Sequence, residues 1–132
     1  MWTPDPSIII TAEAKAAELR EAVHAAINAE RARRIEAGKT FNGVYVTGRE
    51  VDLSNLTNLA LAAQLRIASG DTTTLTVFRD GNDVDHQLTP PQMLALWQAG
   101  SGYVSDLYAA SWTLKGMDPI PTDFTDDRHW PE

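Results

Sequence analysis

Thr40-Phe41-Asn42-Gly43-Val44-Tyr45-Val46 lies between two helix-forming runs, and its reading decides the rest. Asn and Gly both tolerate positive φ, which a two-residue hairpin turn requires. Phe41, Val44, Tyr45 and Val46 are β-branched or aromatic and suit the two short arms. A hairpin this small cannot stand alone in water. It must pack on the helices either side of it, so the chain reads as α+β.

Upstream, residues 12–37 are alanine-rich and hold no Gly or Pro, which predicts one long helix. Thr11 is the expected N-cap and Gly38 the stop. Its apolar line is Ala12, Ala16, Leu19, Val23, Ala26 and Ile27, heptad-like for two to three turns and ending at Glu30 and Arg33. Small residues on such a line suit close packing against another helix of the same chain. A short homotypic coiled coil is the alternative. Residues 1–10 are expected to form an extended arm, because Pro4 and Pro6 oppose helix and Ile8, Ile9 and Ile10 favour strand. The start has no basic region followed by a long apolar core, so it does not read as a signal peptide.

Downstream, Asp52 or Ser54 is the expected cap of a second helix over about 53–69, ending before Gly70. Leu56, Leu59, Ala60, Ala63 and Ile67 share its face, with Leu61 and Leu65 broadening it. Residues 72–79 and 83–88 read as a second hairpin turning at Asp80-Gly81-Asn82. Thr89-Pro90-Pro91-Gln92 is a strong helix start, with Thr as N-cap, Pro at N1 and Gln closing a capping box. The third helix then runs over about 90–115, with Met93, Leu96, Gly100, Tyr103/Val104, Leu107, Ser111 and Leu114 inward and a bend expected at Gly100-Ser101-Gly102. The two long helices are expected to run alongside each other, roughly antiparallel. Residues 116–132 change character: three prolines, a net charge of −4, and Phe124, His129 and Trp130. The organisation is thus an arm (1–10), one domain (11–115) and an acidic tail rich in Pro and aromatic residues (116–132).

The 132 residues carry a net charge of −7 and no cysteine. Disulfides, thiolate metal sites and thiol catalysis are therefore excluded, and a reducing compartment fits. Residues 1–50 hold seven acidic and seven basic side chains; residues 51–132 hold eleven and four. Nucleic-acid binding normally needs a basic face, and only Arg31, Arg33, Arg34 and Lys39 cluster. These close the first helix, where cations meet its C-terminal dipole, and they would also suit an acidic tail such as a neighbour's 116–132. No apolar run approaches the roughly 20 residues of a membrane span.

The candidates for chemistry are thin. His24 has Arg20 and Asn28 at the i±4 places a helical metal pair would need, and His86 sits in a strand beside Asp83 and Asp85. Asp80-Gly81-Asn82-Asp83-Val84-Asp85 departs from a calcium loop at Val84, at Gly81 and in lacking a later glutamate. No serine elbow and no phosphate-binding glycine loop is present. The sequence therefore points away from an enzyme, a cofactor, a metal, a small-molecule substrate, nucleic acid and membrane. A free-standing enzyme or regulator would need a pocket with convergent polar groups. Candidate partner-binding residues are Ile8, Ile9 and Ile10 in the arm, Trp112 on the third helix, and Phe124 and Trp130 in the tail. Large aromatics are frequent anchors of interfaces. On this reading, removal of residues 117–132 leaves the domain folded and abolishes binding.

A set of ordered fragments runs from Arg33 to Lys115: Arg34, Gly38, Thr40-Phe41-Asn42-Gly43-Val44, Asp52 with Ser54, Asn58-Leu59 and Thr76-Val77-Phe78-Arg79-Asp80-Gly81. Leu88-Thr89-Pro90 with Met93 and Tyr108-Ala109-Ala110-Ser111-Trp112-Thr113-Leu114-Lys115 complete it. In order and spacing the set resembles a bacteriophage tail-protein family, a domain of unknown function found in tail-fibre-associated and baseplate proteins. Members often carry an unbroken helix where this chain has Gly100-Ser101-Gly102. The resemblance implies no catalytic residue. It implies a tail fibre, baseplate or adaptor subunit, made in the bacterial host cytoplasm, located in the virion and contacting other tail or fibre proteins, with a homo-oligomer such as a fibre trimer as a further expectation. The alternative it implies is a tail-fibre assembly chaperone lost from the mature particle.

Overall fold

The computed structural model describes residues 6–132, with side chains from residue 11 onward. Its first hairpin is built as the sequence requires. Strand β1 (Lys39–Phe41) pairs antiparallel with β2 (Val44–Val46), Lys39 opposite Val46 and Phe41 opposite Val44. Asn42 and Gly43 take φ of 48° and 79° at the turn. Helix α1 (Pro6–Ala37) enters this hairpin through Gly38, whose φ is +67° and whose N–H donates to the Arg34 carbonyl at 3.1 Å. A Cβ on Gly38 would lie 2.1 Å from the Val46 carbonyl oxygen, so only glycine fits between helix and strand.

Helix α1 starts earlier than expected. Proline is accommodated at a helix start, where no intrahelical partner is needed for its missing N–H, so Pro6 begins the helix instead of forbidding it. Thr11 is consequently inside the helix and is not its cap. The extended-arm reading is thus corrected over residues 6–10; over residues 1–5 it lies outside the described residues.

Helix α2 (Glu50–Ala68) likewise starts earlier, after Arg49, with no side-chain cap. Asp52, an expected cap, is instead in the first turn, accepts a hydrogen bond from the Thr47 hydroxyl, and joins Glu50 in placing negative charge at the helix N-terminus. Leu56, Ala60 and Ala63 are buried as the periodicity predicts, but Leu61 and Leu65 point to solvent.

The second hairpin is shorter than its β-prone sequence. Strands β3 (Thr76–Arg79) and β4 (Asp85–Leu88) pair from Thr76–Leu88 to Arg79–Asp85. The Asp71 carboxylate accepts the N–H groups of Thr73 and Thr74 at 3.1 and 3.0 Å, diverting them from a ladder. The Asp80 carboxylate accepts those of Asn82 and Val84 at 2.8 and 3.0 Å, closing the other end.

Helix α3 (Pro90–Lys115) has the expected bounds and both arms of the capping box between Thr89 and Gln92. It is continuous through Gly100-Ser101-Gly102. It serves as the spine of two cores. Its first half meets α2 and the hairpins around Val44, Val46, Leu56, Phe78, Met93 and Leu96. Its second half meets α1 and the C-terminal segment around Ile27, Leu107, Leu114 and Trp130. Helices α1 and α3 are antiparallel: His24 and Lys115 border one cleft, Arg31 bonds Ser111, and Lys39 reaches the Tyr103 ring.

The C-terminal segment is not outside the domain. Trp130 is only 5% exposed, and Ile120 and Phe124 pack against its cluster. The Trp130 indole donates to the Phe124 carbonyl at 2.7 Å, so this large side chain is buried with its one donor satisfied. A 3₁₀ turn at Asp127–His129 is capped by Asp126.

Candidate binding surface

Leu107 and Leu114 mark the buried face of α3; Tyr108 lies about 110° and Trp112 about 150° around from it, one turn apart. Tyr108 is 37% exposed and Trp112 63% exposed. Their ring centroids are 5.9 Å apart at 54°. From α1, the Arg31 guanidinium lies 4.2 Å from the centre of the Tyr108 ring and donates to the Ser111 hydroxyl at 2.9 Å. That hydroxyl donates in turn to the Tyr108 carbonyl at 2.7 Å. The cation is thus fixed over one aromatic face while Trp112 remains open, a rigid apolar surface with a positive edge. Next to Tyr108, Ile35, Leu53, Ser54, Thr57, Asn58 and Val104 border a shallow groove of about 470 Å³. Its polar rim is hydroxyl and amide with one carboxylate, Glu50, which suits hydrogen bonding to a partner's backbone.

The expected site residues separate in space. Trp112 is on this surface. Phe124 and Trp130, expected as partner contacts in a tail beyond the domain, are brought together inside the chain's own second core. The side chains of Ile8, Ile9 and Ile10 fall outside the described residues. Sequence reading missed Arg31 and Tyr108 as members of this surface; the i, i+4 aromatic spacing beside the Leu107/Leu114 stripe is the signal that locates Tyr108, and Arg31 reaches it only through the packing of α1 on α3.

The arginine cluster does meet an acidic segment, and it is the chain's own. Arg34, itself buried, donates to Glu30 at 2.8 Å, to the Thr125 carbonyl at 2.9 Å and to Asp127 at 2.8 Å, and lies 5.2 Å from the Trp130 ring centre. Arg33 donates to both Glu30 oxygens. These bonds, that from Arg33 foremost, hold the Glu30 carboxyl below its ordinary range against the opposing effect of burial. Asp123 is lowered chiefly by its contact with His129 at 3.0 Å. Asp80 is pulled down to about 2, first by His86 at 2.7 Å and then by the backbone N–H groups it accepts. Both Asp80 oxygens are thereby committed to the hairpin turn. Among the described residues no group of three or more His, Asp or Glu is placed to hold a metal ion, and no described helix is long and apolar enough to cross a membrane.

The fold and surface therefore define a small α+β domain in which two antiparallel long helices, two hairpins and a clasped C-terminal segment display an aromatic–arginine face. A family model, Domain of unknown function (DUF4376), matches residues 18–127, and the chain belongs to that family. No curated protein and no solved structure matches the chain. The matched stretch takes in the clasped segment as far as Asp127 and leaves out the first turns of α1.

Proposed function

We propose that this protein is a structural or assembly component of a bacteriophage tail, in a fibre, baseplate or adaptor, and that it works by binding other tail proteins and not by catalysis. The observation that carries the binding role is the exposed Trp112–Tyr108 pair held beside Arg31. An indole left mostly in water, over a neighbour that is already rigid, loses little side-chain entropy when a partner covers it. The tail assignment rests on the ordered fragments of the sequence. Several of them do defined structural work in the fold. Asn42-Gly43 forms a hairpin tip, Asp80-Gly81 the second turn, Thr89-Pro90 the helix start, and Tyr108 to Lys115 the aromatic face. Quantitative mass spectrometry of purified phage particles tests it. A fixed, symmetric copy number per particle is expected, reduced by Trp112→Ala. Abundance in the lysate with absence from particles would replace the structural role with that of an assembly chaperone.

A further inference from the structure

Every residue from 11 to 22 of α1 is exposed, and Leu19 is 68% exposed. The helix rises from the domain for these three turns with no covering element. Its residues Ala12, Ala16, Leu19, Val23 and Ala26 follow alternating spacings of four and three, the a/d seam of a paired helix. The seam ends at Glu30, where α1 turns to its own C-terminal segment through Arg33 and Arg34. At its domain end it opens into a cleft of about 580 Å³, where Leu19 and Val23 meet Met117, Ile120 and Phe124.

We propose that this part of α1 is a self-association surface, covered by the α1 of a second copy running antiparallel. The flanking charges select the occupant and its direction. With Ala12 opposite Val23 and Ala16 opposite Leu19 of the second copy, Glu13 of each chain stands beside Arg20 of the other. This attractive pair is formed twice by the twofold symmetry. In a parallel pair the same seam would set Lys15 beside Arg20, which repels. The antiparallel register also carries the start of each helix toward the other copy's Met117–Ile120 cleft, so seam and cleft are covered together. The surface is short, and association in the micromolar range is expected. The pairing is independent of the tail assignment, and Ala12 and Ala16 precede the residues that the family model matches.

Sedimentation of the full chain across a concentration series is the test. Reversible association to two chains is expected. Leu19→Asp should weaken it by at least about a hundredfold while leaving the circular dichroism and unfolding midpoint of the monomer unchanged. Glu13→Arg should weaken it about tenfold, and Glu13→Arg with Arg20→Glu should restore it. The chain has no cysteine, so single introduced cysteines carry unique spin labels. Labels at Glu18 should lie close across the dimer, and labels at Thr11 should be offset along the axis by about 20 Å. A monomer at all concentrations, an association indifferent to Leu19→Asp, a double variant no better than Glu13→Arg alone, or equal label distances would each overturn the proposal.

Discussion

Residues 11–22 and residues 117–132 flank the same domain, and both carry apolar side chains. The first stretch stands in solvent and the second completes a core. The difference is one of side-chain size and polar satisfaction. The helical stretch offers alanines and a single leucine, and burying alanine removes little area from water. The C-terminal segment offers Ile120, Phe124 and Trp130, and Arg34 accounts for a carbonyl and a carboxylate of the approaching chain. A segment with three prolines and a net negative charge is thus held in place by an aromatic anchor and one buried guanidinium. Apolar periodicity alone, without area, leaves a helix uncovered within its own chain.

The strongest way to break the comparison is at Trp130. Trp130→Ala should destabilise the domain by about 3–5 kcal/mol, read by chemical denaturation. Removing residues 117–132 should lose at least as much, so a truncated chain that keeps its unfolding midpoint would show that the segment is not core. Next come two positions on one helix. Ile27, fully buried, should cost about 2–5 kcal/mol when changed to Ala. Leu19→Ala should cost within about 0.5 kcal/mol in the monomer. Similar losses at both positions would mean that the exposed turns are covered in the monomer.

Arg34→Ala leaves the buried Glu30 with Arg33 as its remaining partner and should cost about 2–3 kcal/mol. The Asp127 arm contributes little of this, because that carboxylate is almost fully exposed. Acid should act on both halves of the molecule. Glu30, Asp123 and Asp80 all have carboxyl pKa values lowered by folding, so the unfolded chain takes up protons first as pH falls. Their stabilisation is complete above the ordinary carboxylate range of about 4. For Asp80 it is lost progressively as the pH falls toward about 2. Denaturation followed from neutral to acid pH should show this loss, and Asp80→Asn should flatten the low-pH part of the curve. A small gain is expected at Gly102, which has open space around it inside α3. Gly102→Ala should raise stability by about 0.5–1 kcal/mol, and the gain should be indifferent to the tail.

Where local chemistry was decisive, the sequence was legible. Asn42-Gly43 made a hairpin, Thr89 to Gln92 made a capping box, and the inner stripe of α3 was read nearly residue by residue. The candidate surface was half legible. Trp112 stood out by its size and Tyr108 is its i, i+4 neighbour, but Arg31 needed the antiparallel crossing of α1 and α3 to meet them. The α1 stripe was legible as a pattern, and its C-terminal half packs within the chain as expected: Ile27 is buried against Leu107 and Leu114 with Val23 beside it, while Ala12, Ala16 and Leu19 stand in solvent. The fold also buries Glu30 and Arg34, in the turns where the apolar line stops. Charged groups can be buried once they are paired and hydrogen-bonded, and periodicity does not show where their partners are.

The sequence by itself determined the helices, the two turns and the absence of thiol chemistry, because each depends on backbone preference or on which residues exist at all. The tertiary structure alone decided which stretch beyond the long helices became core. Trp130 and Arg34 stand 96 positions apart in the sequence. Glu30 and Arg34 are already one turn apart on α1, and only the folded path of the chain brings the Trp130 indole and the Thr125 carbonyl onto that pair.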